Sequence, residues 1–137
     1  MLNVTVPAPN GWVAAPPARG FSCLTVELAS ATRVNVEGEL DLATSPQLDD
    51  ALHRAEADAR LIVLDLRRLA FLDCNGLRVI LAAHHRAHRT EGRLVVVRGP
   101  TAVERVFTLT DAHRELELVD LPPPWAAGPA LREVVPA

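Results

Sequence analysis

Apolar and polar residues alternate in "CLTVELA" (Cys23 to Ala29) and again, after a short connection, in "TRVNVEG" (Thr32 to Gly38). A period of two is the signature of a half-buried strand, and the short gap between the two runs suits a hairpin. The pattern then changes. "LIVLDL" (Leu61 to Leu66) and "RLVVVRG" (Arg93 to Gly99) are nearly continuous Leu, Ile and Val. Such runs fit strands covered on both faces, as in a parallel sheet. "LELVDL" (Leu116 to Leu121) is a shorter fifth strand.

Between these runs the apolar residues fall at helical spacing. Ser45 is placed to cap a helix whose first residue is Pro46, where a missing N–H costs nothing. Leu48, Ala51, Leu52 and Ala55 line one side of it. A second helix starts near Asn75, carries Leu77, Ile80, Leu81 and His84 on one stripe, and is stopped by Gly92. A third begins near Thr101 and carries Val103, Val106, Phe107 and Thr110. The predicted order is β-β-α-β-α-β-α-β: an α/β fold, a mixed sheet packed against helices, with its later strands parallel across right-handed crossovers.

The 137 residues suit a single domain with one real core. Residues 21–121 carry all the periodic segments. Residues 1–20 contain Pro7, Pro9, Pro16 and Pro17, the composition of a flexible, loosely held arm. Residues 122–137 form a Pro-rich C-terminal tail, in which Trp125 offers an apolar group to pin it to the body. Hydrophobic content of 49% and charged content of 23% are those of a soluble globular protein. A net charge of -3 argues against a nucleic-acid partner. No apolar run has the roughly 20 residues of a membrane span, and the first residues lack the pattern of a secretory signal. With only two cysteines, Cys23 and Cys74, the expectation is a cytoplasmic protein without a disulfide framework.

Little in the sequence speaks for catalysis. It has no phosphate-cradling Gly-rich loop, no nucleophile elbow and no zinc-protease motif. His84 and His88 have the i, i+4 spacing of two metal ligands, but no third ligand has matching spacing, and no metal or other cofactor is expected. The stretch that stands out is "FLDCNGLRVIL" (Phe71 to Leu81), two apolar halves around a four-residue corner. Asp73 there is a natural N-cap and Asn75 a turn residue. Cys74 sits where a helix start favours the thiolate while Asp73 opposes it. It reads either as a reactive, redox-sensing thiol or as a small residue chosen for size. With no His or second Cys adjacent, size is the simpler reading. Earlier, "EGELDLATSP" (Glu37 to Pro46) leaves a strand and enters a helix with Glu39 and Asp41 on its loop.

"VEGELDLATSPQL", "LIVLDLRRLAFLDCNGLRVIL" and "GRLVVVRGPTAVERVFTLT", in that order across roughly residues 22–121, resemble the STAS domain family, specifically bacterial anti-sigma factor antagonists. Gly38, Glu39, Leu40 and Asp41 match that family's G-E-L-D loop. Asp73, Gly76 and Leu77 match its D-S-S-G-L turn. The resemblance implies a non-catalytic module that captures a kinase-like ATPase anti-sigma factor and so frees a sigma factor. It also implies that the partner phosphorylates the first serine of the turn and thereby ends binding. In this chain that position is Cys74, and the next serine is Asn75, so neither offers a hydroxyl. The resemblance therefore implies a partner-binding surface of Glu39, Asp41, Thr44, Asp73, Cys74, Asn75 and Gly76, rimmed by Arg78, without the usual phospho-switch. It leaves two outcomes open: a constitutive antagonist, or a STAS scaffold serving another complex with Cys74 as a redox input.

Overall fold

The two alternating segments pair as an antiparallel hairpin, β1 (Phe21–Glu27) with β2 (Thr32–Leu40), in a register that sets Phe21 opposite Gly38 and Glu27 opposite Thr32. The computed structural model describes residues 20–123 and the short strand at 135–136. All but the last residue of the arm expected at residues 1–20, and most of the C-terminal tail, lie outside the described residues. From β2 the chain proceeds through α1 (Ser45–Asp58), β3 (Leu61–Leu72), α2 (Cys74–Arg89), β4 (Arg93–Val97), α3 (Thr101–Leu109), a 3-10 turn at Ala112–Arg114 and β5 (Glu117–Val119). β2, β3, β4 and β5 are parallel neighbours in sequence order. Within the stretch read as a Pro-rich tail, Val135–Pro136 forms β6, antiparallel to β1 at Leu24 and Thr25. The sheet order is β5-β4-β3-β2-β1-β6.

Strand β3 is twice as long as its apolar run predicts. Ile62 to Leu66 are all buried, as a strand covered on both faces requires. Beyond Leu66 only Leu69 and Leu72 stay buried, while Arg67, Arg68, Ala70 and Phe71 are exposed. The pairing with β2 slips at Asn35/Glu37 and again at Gly38/Glu39. Two irregularities in one ladder bend the strands and break the simple alternation that sequence reading depends on. Gly38 makes this possible: its φ is +103°, and a Cβ there would lie 2.0 Å from the Gly20 carbonyl oxygen.

One core holds the helices to the sheet. Val34, Val36, Leu64, Leu66, Leu94 and Val96 face Leu48, Leu52, Leu77, Ile80, Val103 and Phe107. On α2 the inner row runs through Ala83 and Ala87, while Leu81 and His84 are half-buried at its flank. The buried row thus departs from the predicted stripe after Ile80. Thr110, placed on the α3 stripe by spacing, is exposed and follows the helix as its C-cap. A bidentate Arg86–Glu56 pair, at 2.7 and 2.8 Å, ties α2 to α1.

Candidate functional site

Parallel pairing carries the ends of β2 and β3 to the same edge of the sheet. Glu39 lies beside Phe71, Leu40 beside Leu72, and the Asp73 N–H donates to the Leu40 carbonyl at 3.2 Å. The two loops singled out in the sequence, Asp41 to Thr44 and Asp73 to Gly76, therefore form one corner at the carboxyl ends of the strands. This is the end of an open α/β sheet where binding sites concentrate.

Each loop is shaped by its own aspartate. Asp73 Oδ1 accepts from the Asn75 N–H at 2.8 Å and the Gly76 N–H at 3.1 Å, satisfying two of the free donors at the start of α2. Its Oδ2 accepts from the Asn75 side-chain amide at 3.3 Å. Asp41 Oδ1 accepts from the backbone N–H groups of Ala43 at 3.0 Å and Thr44 at 3.2 Å. The Thr44 hydroxyl donates to the Glu39 carbonyl at 2.8 Å and accepts from the Asp41 N–H at 2.9 Å. The N-cap of α1 is Thr44 rather than Ser45; its side chain, turned back into the loop, makes no capping bond, and Ser45 begins the helix as a buried residue. Neither hydroxyl is an outward-facing group.

Gly76 is buried, and the close approach it permits is internal. A Cβ on it would fall 2.6 Å from Leu40 Cγ and 2.8 Å from Leu72 Cδ1. The glycine seats the first turn of α2 directly on the ends of β2 and β3. Glu39, Cys74 and Arg78 are exposed, and Asp41, Thr44, Asp73 and Asn75 are half-buried. Two apolar residues absent from the sequence-based surface join them. Leu42 is 70% exposed on the first loop, and Phe71 is 48% exposed near the end of β3. Large apolar side chains this open beside a polar corner are a mark of contact surface. Phe71 was legible in part, since it and Leu72 are adjacent and a strand can bury only one of them on a given face.

The two cysteines differ. Cys74 is exposed at the tip of the corner. Cys23 packs against the core, and burial pushes its thiol up to about 12, only partly offset by the charge of Arg54. At the far end of α2, the His84 and His88 rings lie 5.3 Å apart and His85 Nε2 meets Glu115 Oε1 at 3.0 Å. Burial, then the neighbouring imidazoles of His88 and His85, holds the His84 pKa below its ordinary value. Among the described residues no three His, Cys, Asp or Glu side chains are grouped to hold a metal ion. Clefts of about 490 and 610 Å³ also lie at that far end, both bordered by Arg60, Ala87 and Gly92 and away from the corner. Among the described residues no helix is long and apolar enough to cross a membrane.

Comparison with known proteins gives a consistent picture. The family model for the STAS domain matches residues 24–121. An anti-sigma F factor antagonist of Paenibacillus polymyxa is 31% identical over 91 residues, 64% of this chain and 76% of that relative. The crystal structure of an anti-sigma factor antagonist from Mycobacterium paratuberculosis is similar at a TM-score of 0.69 and 26% identity, covering 85% of this chain and 92% of that one. The Bacillus cell fate determinant SpoIIAA in its phosphorylated form shares the fold at a TM-score of 0.55 and 18% identity, over 70% of this chain and 90% of its own.

Proposed function

Because the chain belongs to the STAS domain family, we propose that it is a non-catalytic anti-sigma factor antagonist. It binds a kinase-like ATPase anti-sigma factor through the Asp41–Asp73 corner and so frees a sigma factor, acting in the cytoplasm. The observation that carries this reading is the corner itself. Two capped loops from adjacent parallel strands hold Glu39, Leu42, Phe71, Cys74 and Arg78 open to solvent around one helix start. Its relatives from Paenibacillus polymyxa and Mycobacterium paratuberculosis are named anti-sigma factor antagonists. Asp41, Thr44 and Asp73 contribute by fixing the loops. The contact falls to the open side chains, with Leu42 and Phe71 as apolar anchors and Glu39 and Arg78 as polar rim.

Regulation differs from the usual scheme at one atom. A phosphate on the first residue of α2 would add a charge of about -1.5 to -2 in the middle of this surface, enough to end binding by desolvation and repulsion. Cys74 occupies that place with a thiol, and Asn75 follows with an amide already bonded to Asp73. The antagonist therefore stays competent in the presence of ATP. A pull-down of the host's kinase-like anti-sigma factors, with and without ATP, tests this. Capture that ATP leaves unchanged is the expected result. Release by ATP overturns the constitutive reading, and failure to capture any of them overturns the antagonist reading. The exposure of Cys74 favours one second reading, a redox-sensitive contact. Under it, alkylation or mild oxidation of Cys74 would release a captured partner, whereas a Cys74→Ala variant would hold it under the same oxidant.

A further inference from the structure

The corner contains the pair Asn75-Gly76, and the sequence has such a pair at one other place, Asn10-Gly11. An asparagine followed by glycine can react with its own backbone. The amide nitrogen of the glycine attacks the side-chain Cγ, forms a C–N bond and closes a succinimide ring. Its proton leaves with the side-chain nitrogen, which departs as ammonia. Water then adds at one of the two ring carbonyls and opens the ring, leaving aspartate or isoaspartate. The balance needs only water. Glycine favours the step because it has no Cβ to crowd its nitrogen and lets the backbone turn freely. Asn35, the other asparagine among the described residues, is buried in β2 and precedes Val36.

Asn75 sits where the helix guards that step least. The backbone ladder of α2 begins with the Leu77 N–H donating to the Asp73 carbonyl. The N–H groups of Asn75 and Gly76 precede it and belong to the free donors of a helix start. Both go to one oxygen, Asp73 Oδ1, at 2.8 and 3.1 Å. The Asn75 side-chain amide donates to the other oxygen, Oδ2, at 3.3 Å. A single carboxylate therefore holds both the nitrogen that would attack and the amide that would leave. Asn75 is half-buried next to the exposed Cys74, which gives water access to its side chain. When Asp73 lets go, the first turn can open locally, and helix ends do so at a small part of the global unfolding cost.

We infer that Asn75 is a site of spontaneous deamidation, that the Asp73 cap sets its pace, and that the product no longer serves as a partner surface. The last part rests on the antagonist reading above. Deamidation exchanges a hydrogen-bond donor for a carboxylate. The new charge meets the like charge of Asp73 Oδ2, now 3.3 Å from the Asn75 amide, and the cap of α2 loosens. The same charge enters the surface between Cys74 and Gly76, where a phosphate acts in the usual scheme. Isoaspartate also adds a methylene to the backbone. It does so at a turn where a Cβ on Gly76 would already fall 2.6 Å from Leu40 Cγ. The corner that lacks a phosphate acceptor thus carries an irreversible switch driven by time.

The test uses the full-length chain in an Asn10→Gln background, which leaves Asn75-Gly76 as the sole Asn-Gly pair. After incubation of the folded protein at mildly alkaline pH, the peptide carrying Asn75 is expected to show the mass change from amide to carboxyl. It should also accept methyl groups from an isoaspartyl methyltransferase. An Asp73→Ala variant should convert about fivefold faster, the factor of a lost cap. An Asp73→Ser variant, whose hydroxyl can still cap, should restore most of the slow rate. An Asn75 that stays intact in the folded chain while the urea-unfolded chain converts, or a rate indifferent to Asp73→Ala, overturns the inference. Ion exchange then separates the charge-shifted fraction, which should capture the anti-sigma factor several-fold more weakly than the unshifted one. Equal capture overturns the regulatory half. If fresh protein captures nothing, the antagonist reading has failed, and the mass spectrum still decides the deamidation by itself.

Discussion

Asp73 does at the residue scale what its place in the sequence predicts, taking two backbone N–H groups at the start of α2. Replacing it by Ala should lower stability by about 1 kcal/mol, the usual cost of a lost N-cap, read as a shift in the urea midpoint. The two thiols make a second residue-scale prediction. In native protein Cys74 should react quickly with a thiol reagent and Cys23 only on unfolding, because one is exposed and the other is held neutral by burial. The same burial links stability to pH. The folded-state pKa of Cys23 is raised from 9.0 to about 12, so its contribution is fully present below 9. As pH rises from 9 towards 12 the unfolded chain loses a proton that the folded chain keeps, and stability falls by up to about 1.4 kcal/mol per pH unit. A Cys23→Ala variant, less stable at neutral pH, should lack that part of the alkaline slope in a series of urea titrations.

At the scale of elements, the corner depends on how α2 is seated. Gly76 allows its first turn to touch Leu40 and Leu72, and the Asp73 N–H to Leu40 bond ties that turn to the end of β2. The loops are thus fixed from below, while Leu42 and Phe71 project from them without supporting the core. Removing either side chain should separate binding from stability. Leu42→Ala and Phe71→Ala are each expected to weaken capture of the anti-sigma factor by about tenfold or more, as for an interface anchor, while the urea midpoint moves by less than about 0.5 kcal/mol equivalent. Titration calorimetry against the captured partner, beside urea unfolding, would check both halves. An unchanged affinity would remove these residues from the contact. The element boundaries were legible wherever one physical signal dominated: the hairpin by alternation, α2 by Asp73, the start of α3 at Thr101. They were missed where two signals competed. The second half of β3 carries Arg67 and Arg68, which read as a loop, yet the irregular register with β2 turns both outward and leaves Leu69 and Leu72 to continue the strand.

For the whole molecule, the proposed antagonist is a corner at one edge of a six-stranded sheet, packed from one face by three helices and with β6 beside β1. The loops of the corner are tied by their own hydrogen bonds, so the proposed regulation acts on the surface they present. Restoring hydroxyls there should restore the switch. A Cys74→Ser, Asn75→Ser double variant, incubated with the captured anti-sigma factor and ATP, is expected to gain one phosphate by mass spectrometry and then to dissociate. The unaltered chain should gain none. Phosphate incorporation by the unaltered chain at another position, with loss of binding, would show that the switch had moved.

By itself the sequence determined the α/β order, the hairpin, the three helices and the residues Asp41 and Asp73 that shape the corner. Those follow from local periodicity and from capping, which act over a few residues and leave a readable trace. Only the tertiary structure decided that the two loops share one edge, because parallel pairing joins residues some thirty positions apart. It decided that Thr44 and Gly76 serve the fold from inside, and that Leu42 and Phe71 stand open. Exposure depends on what every other element covers, and no window of sequence carries that information.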